Sequence, residues 1–290
     1  MGPTTSSETA SAKGGLLFSY SGRGLSSRAP VEVAVYQSAK GSGITFSIPN
    51  PKADRGASDE RVLIPACADF VVSTLRNTVL GQGSARLCIV EHFLAACALW
   101  GCEDLFVLVD GLEMPLVDGS ARFWMELFEN SSIPRIIPEP SVAIHETVSV
   151  QDGDRQLIAI PAEKLTLSYL LDLPHPMIGK RWRSWTADEP YADIAYARTF
   201  GSSKENEMLG VQDDVVSLTA SGFTKPLIYD DEPVRHKLLD LLGDLVLIGL
   251  NPVKLKAHVI SIKGGHKLDV ELAKRLRDTL KSNTSSRSTS

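Results

Sequence analysis

Several absences narrow what this chain can be. Cysteine is scarce: four among 290 residues (Cys67, Cys88, Cys97, Cys102), with no C-x-x-C spacing and no framework of the kind that staples small secreted domains. A reducing compartment, the cytoplasm, is the expected location. No apolar run approaches the roughly 20 residues needed to cross a bilayer. The opening MGPTTSSETASAKGG lacks the apolar core of a secretory signal, and no arginine precedes Arg23, which argues against a mitochondrial transit peptide. Residues 1–15 read as a short disordered lead. Basic excess is missing too. Thirty Lys and Arg against 35 Asp and Glu leave a formal charge of −5, which excludes the basic footprint of a nucleic-acid binder but leaves room for local basic pockets. What remains is a globular composition, 43% hydrophobic and 22% charged, long enough for two domains.

The pattern along the chain predicts short strands and helices in two domains. In the first domain, residues 16–133, short strands are expected at Leu16–Ser21, Val31–Tyr36, Gly43–Ile48, Val62–Ile64 and Phe70–Val72, with a tight turn at Gly22-Arg23-Gly24-Leu25. Ile89–Leu99 has helical composition, Leu105–Val109 reads as a buried strand, and Ala121–Phe128 as a helix. Pro134, Pro138 and Pro140 mark a linker over residues 134–140. The second domain, residues 141–281, is expected to hold strands at Val142–Val150, Gln156–Ile160, Leu165–Leu171 and Ala257–Ile262. Helices are expected near Lys204–Leu209, over Val234–Gly249 and over Leu268–Leu280, and Pro174–Tyr191 reads as an insertion. The Ser/Thr-rich residues 282–290 read as a disordered tail.

Four places carry candidate chemistry. Within VRHKLLDLLGDLVLIG, leucines at three- and four-residue spacing define a buried stripe, and His236 and Asp240 stand four apart on one helical face. Such a pair can share a divalent metal with a third ligand from elsewhere, or form an ordinary helical ion pair. Lys237 lies beside it, and Asp244 extends the line by one turn. Glu91-His92 opens an apolar helix; adjacent helical residues point about 100° apart, so one can bind metal while the other addresses a water. A helix-start charge beside a packed histidine fits equally. Lys263-Gly264-Gly265-His266 lies between a strand and a helix, where His266 can donate a proton, stabilise an oxyanion, or simply sit in a turn. Arg198-Thr199-Phe200-Gly201 offers a hydroxyl and an aromatic wall. His145, His175 and His258 have no partner at metal spacing and read as structural or exposed.

VEHFLAA, DGLEMPLVDGSA, ARTFG, VRHKLLDLLGDLVLIG and the KGGH turn, in this order and separation, resemble the motifs of the UDP-3-O-acyl-N-acetylglucosamine deacetylases of lipid A biosynthesis. The resemblance spans roughly Gly22 to Leu280. It implies Zn2+ held by His92, His236 and Asp240, Glu91 as general base, and His266 as general acid or charge stabiliser oriented by Asp244. Thr199 would share the oxyanion charge, with Lys237, Phe200 and Gly265 facing an acylated UDP-sugar substrate. It also implies two similar α+β domains enclosing helices between two sheets, with an insertion forming a passage for the acyl chain at Pro174–Tyr191. The chain departs from the family pattern at Ser26, where a histidine is usual, and at Cys88-Ile89, Ile262 and Gly264. The expected reaction is zinc-dependent removal of acetate from the 2-amino group of an acylated UDP-glucosamine. The competing readings are a deacetylase of another N-acylated sugar nucleotide and a non-catalytic binding protein on the same fold.

Overall fold

The computed structural model describes residues 14–52 and 60–287. In chain order, the amino-terminal half contains strands β1 (Leu16–Arg23), β2 (Pro30–Gln37), β3 (Ile44–Pro49), β4 (Arg61–Pro65), β5 (Val71–Ser73), β6 (Val79–Gln82) and β7 (Ala85–Leu87). Helix α1 (Glu91–Trp100), strand β8 (Leu105–Asp110) and helix α2 (Arg122–Glu129) follow. The carboxy-terminal half contains β9 (Val142–Ala143), β10 (Val148–Asp152), β11 (Arg155–Pro161), β12 (Thr166–Leu173) and β13 (Gly179–Thr186), then α3 (Ala192–Ala195), β14 (Phe200–Ser202) and α4 (Ser203–Met208). It closes with β15 (Val216–Thr219), β16 (Gly222–Phe223), α5 (Glu232–Leu245), β17 (Leu255–Ile262) and α6 (His266–Arg287).

The two halves repeat one topology. The first main sheet has the order β1-β2-β8-β3-β4 and the second β10-β11-β17-β12-β13. Along these orders each has one parallel pair at the same place, β3 with β8 and β12 with β17, and antiparallel pairs elsewhere; the two-residue β9 adds a further parallel pairing to β17. A parallel pair needs a crossover, and the long helices α1 and α5 occupy the two equivalent connections. The expected pair of similar α+β units is therefore present in the strand order, although no repeat is visible in the amino acids.

Alternation in the strands turns one face of each sheet inward: in β2, Val31, Val33 and Val35 are buried while Glu32 faces solvent. Helices α1 and α5 pack against each other in the layer between the sheets. α1 reaches the first sheet through Phe93 on Phe46, and α5 lies on β12 and β13 of the second. Every residue of α1 is buried, which explains why its sequence, EHFLAACALW, is apolar all round apart from its first two positions. Gly101 ends it in the left-handed region (φ 91°), its N–H donating to Cys97 and Ala98 carbonyls.

Four expectations need correction. Gly22 and Arg23 continue β1, and the turn lies at residues 25–27; a Cβ on Gly22 would meet the Tyr20 hydroxyl at 2.4 Å and its ring at 2.5 Å, so this glycine serves close packing. The strand expected at Val142–Val150 is broken, because β9 pairs with β17 and β10 with β11. Pro174–Tyr191 is no insertion. Its residues Gly179–Thr186 form the edge strand β13, paired along its length with β12; Trp185 points into the core and Trp182 outward, which is strand alternation in a segment that composition made look irregular. The excursion lies later: residues 200–223 form a separate small sheet, β14-β15-β16, with α4. The proline-rich residues 134–140 are pinned to the end of α1 by Ile136 N–H on the Trp100 carbonyl and Arg135 on that of Leu99. Finally, α6 runs to Arg287 across the start of the expected tail, because neither Gly nor Pro interrupts residues 266–287. The expected disordered lead lies, up to residue 13, outside the described residues, as do residues 288–290.

Candidate active site

Helix geometry brings the motifs together. α1 and α5 cross at Gly243, where a Cβ would stand 2.0 Å from the Glu91 carbonyl oxygen; only glycine permits this approach. The crossing sets the first turn of α1 beside the middle of α5. There His92 Nε2 and His236 Nε2 each lie 3.4 Å from the same atom, Asp240 Oδ1. The two imidazoles meet edge to face, with centroids 5.1 Å apart. All three residues are buried, and their ligand atoms lie within 4.8 Å of one another.

A buried carboxylate oxygen normally has a hydrogen-bond donor. Asp240 Oδ1 has none, whereas its other oxygen accepts Lys237 Nζ at 2.8 Å. Two imidazole nitrogens and an unpartnered carboxylate oxygen converging on one point form the donor set of a divalent metal site, so the residues fit the ion that the resemblance implies. His236 donates Nδ1–H to the Ala197 carbonyl at 3.0 Å, which leaves Nε2 with a free lone pair. Burial, with the neighbouring His92 and Lys237 charges, pushes His236 down to about 4 against the pull of Asp240. It is therefore neutral, as a ligand must be. Burial alone would raise Asp240, but His236 and Lys237 hold it well below the usual carboxylate range.

The groups around this point are poised differently. Glu91 is pushed up from the ordinary carboxylate value by burial, with His266 and His92 opposing. Its Oε2 accepts the Thr78 N–H at 3.1 Å. His266, first residue of α6, bonds through Nδ1 to Asp244 Oδ2 at 2.7 Å, and the Thr78 hydroxyl donates to Asp244 Oδ1 at 2.5 Å. Burial works against a charge on His266, yet Asp244 raises it to about 10. Thr199 Oγ1 stands 3.1 Å from His236 Nε2, and Phe200 packs its ring 6.2 Å from the His236 ring and 6.0 Å from Lys237 Nζ. Gly265, at φ 151°, lets the chain swing His266 inward.

These groups line one cavity of about 450 Å³ that holds Glu91, His92, Thr199, Phe200, His236, Lys237, Asp240 and His266. Its apolar wall comes from Leu25, Leu116, Leu209, Val211 and Val215, the last three from the 200–223 excursion. No residue of Pro174–Tyr191 lines it, so the passage expected there is misplaced. Among the described residues, two of the five non-glycine positions with positive φ, Arg76 and Ile89, lie on its lining, and a third, Val117, follows the lining residue Leu116. A β-branched residue such as Ile89 (φ 60°) holds that conformation only under constraint from its surroundings, and such strain gathers at functional sites.

Some of the machinery escaped the sequence reading. Asp269, on α6 one turn beyond His266, is buried with both oxygens unpartnered, and burial beside Asp244 raises it to about 7. Glu113 caps the 25–27 turn by accepting the N–H groups of Ser26 and Ser27. The Gly119 carbonyl takes the Thr199 N–H at 2.6 Å. Glu113 and Gly119 both lie in DGLEMPLVDGSA, a stretch read as loop, whose signal was only the resemblance. His258 bonds to Ser168 in the second sheet and His175 to the Thr219 carbonyl, both away from the cavity.

Comparison with known proteins yields consistent matches. The LpxC family, described as UDP-3-O-acyl N-acetylglycosamine deacetylase, matches residues 17–278. A UDP-3-O-acyl-N-acetylglucosamine deacetylase of Thermosynechococcus vestitus is 38% identical over 224 residues, covering 74% of this chain and 78% of the relative. Enzymes of the same name from Leptospira biflexa (37% identical; 74% of each chain) and Trichormus variabilis (34% identical; 89% and 94%) are also similar.

Proposed function

The chain belongs to the UDP-3-O-acyl-N-acetylglucosamine deacetylase family, and from that premise we propose that it hydrolyses the N-acetyl group of UDP-3-O-acyl-N-acetylglucosamine in lipid A biosynthesis, in the cytoplasm. The observation that carries this reading is the meeting of His92 and His236 on the unpartnered oxygen of Asp240, flanked in one cavity by Glu91 and His266. The halves 16–133 and 141–281 act as the two domains that enclose this cavity.

His92, His236 and Asp240 would hold the metal, taken as Zn2+ for two imidazoles and one carboxylate. When bound, zinc supplies Lewis acidity toward the amide carbonyl and lowers the pKa of water. Glu91 accepts a proton from the attacking water as the new C–O bond forms. Its raised proton affinity, from burial, makes it a stronger base than an exposed carboxylate. The Thr199 hydroxyl faces the developing oxyanion. His266, kept protonated by Asp244, sets a positive charge beside that oxygen and carries the proton that the leaving amine takes up as the C–N bond breaks. The products are acetate and the free amine. Lys237 is held charged by Asp240, although burial alone opposes this, and with Phe200 and Gly265 it faces the sugar nucleotide. The apolar wall on the excursion receives the acyl chain.

Metal analysis paired with acetate release tests the assignment. His236→Ala and Asp240→Ala should lose zinc, and Glu91→Gln should keep zinc and lose turnover. Equal zinc content in wild type and both ligand variants would overturn it.

A further inference from the structure

Three consecutive residues, Ala197, Arg198 and Thr199, are each tied to the first two turns of α5. Ala197 accepts His236 Nδ1–H, and Thr199 Oγ1 meets His236 Nε2. Between them, Arg198 engages Glu232, one turn ahead of His236 on the same helical face. Glu232 is 1% exposed, and its carboxylate collects four donors. Oε1 takes the Arg198 N–H at 3.0 Å and Nε at 2.8 Å; Oε2 takes Arg198 Nη2 at 3.0 Å and the Ile228 N–H at 2.7 Å. Arg198 Nη2 also donates to the Pro226 carbonyl at 2.6 Å.

Arg198 lies on the outgoing stem of the 200–223 excursion, and Pro226 and Ile228 lie on its return. One buried carboxylate thus joins both stems to the helix that carries His236 and Asp240. Burial by itself would raise Glu232, but the guanidinium and the two backbone N–H groups outweigh it and hold the carboxyl below its ordinary value. Such a carboxylate is ionised throughout the working range, and a charged group this buried stays where its donors are. No substrate-facing role is open to it, since it does not line the cavity.

We infer that Glu232 is a positioning residue: its carboxylate staples both stems of the excursion to α5, and so fixes where the Thr199 hydroxyl meets the reacting centre and where the apolar wall stands. This rests on the proposed deacetylation, in which Thr199 faces the developing oxyanion.

The test combines kinetics, metal content and backbone exchange on the full chain for Glu232→Gln, Thr199→Val and the double variant. Glu232→Gln should lower kcat by about 10- to 100-fold, the scale on which small misplacements act, with unchanged metal content. In the Thr199→Val background the same change should lower kcat by less than about twofold, since a residue acting through Thr199 has little left to position. Amide hydrogen exchange should quicken at residues 200–223. An equal loss in both backgrounds would overturn the inference. If Glu232→Gln fails to accumulate, Arg198→Lys keeps the charge, removes the two-armed contact and takes its place in the same cycle. If wild type releases no acetate from the acylated UDP-sugar, the functional reading fails and exchange alone decides: faster exchange at residues 200–223 sustains the staple, and unchanged exchange refutes it.

Discussion

Replacing Asp244 by asparagine should move one limb of the pH profile and leave the rest of the site in place. The carboxylate stands 2.7 Å from His266 Nδ1 and is wholly buried, so its charge acts on the imidazole with little solvent between them. It is the main cause that lifts His266 to about 10, against a burial effect that pulls the other way. With that value, roughly 99% of His266 is protonated at pH 8. Asparagine keeps the shape and removes the charge, and His266 should fall back toward an ordinary histidine near 6.5. Only about 3% would then carry the proton at pH 8, against about three quarters at pH 6. The expected loss in kcat/KM is therefore about thirtyfold at pH 8 and under twofold at pH 6. The basic limb should move from near pH 10 to near pH 6.5, and the acidic limb, governed by Glu91, should move much less and downward, because Asp244 is a minor cause of the raised Glu91 value beside burial. The assay is acetate release across pH 5.5–10.5, with metal content checked on each sample. A loss of the same factor at every pH, with the basic limb unmoved, would refute the argument and reduce Asp244 to packing. The same linkage bears on stability. A histidine whose folded value is raised stabilises the fold fully below about pH 6.5, and that contribution fades as pH climbs through about 10.

Gly243→Ala should be severe for a residue so small, because its Cβ meets the Glu91 backbone at 2.0 Å; denaturant unfolding should show a loss of about 1–3 kcal/mol or more, and turnover should fall as Glu91 moves. Leu209→Ala and Val211→Ala should flatten the dependence of kcat/KM on acyl-chain length, whereas Trp182→Ala, on the exposed face of β13, should leave it unchanged. A reversed pattern would return the acyl passage to residues 174–191. Glu113→Ala leaves two backbone N–H groups of the 25–27 turn without their acceptor, which should lower stability by about 1–3 kcal/mol in urea unfolding and loosen the turn that carries Leu25 and Ser26.

The spacing of His236 and Asp240 was legible because a helix converts a four-residue interval into a shared face, a purely local rule. The composition of Ile89–Leu99 likewise indicated a helix, found over Glu91–Trp100, whereas its burial on all sides is decided by the packing around it. Motif order carried the family and, through it, the α+β architecture. Local rules stop where partners are chosen. That His92 and His236, 144 residues apart, reach the same oxygen depends on two helices touching at Gly243, and no interval in the chain encodes that meeting. Gly179–Thr186 looked like an insertion because tryptophan, arginine and lysine crowd it; its pairing with β12 made it an edge strand, where one face tolerates charge. The excursion at 200–223 hid in a polar stretch because its apolar residues are divided: Leu209, Val211 and Val215 line the cavity while Leu218 and Phe223 pack on the core, so no single periodic stripe is left to read. Glu232 and Glu113 were silent in the sequence because a carboxylate's role is set by the donors around it. Those donors come from distant segments for Glu113, and for Glu232 from both stems of a loop that only the folded chain brings together.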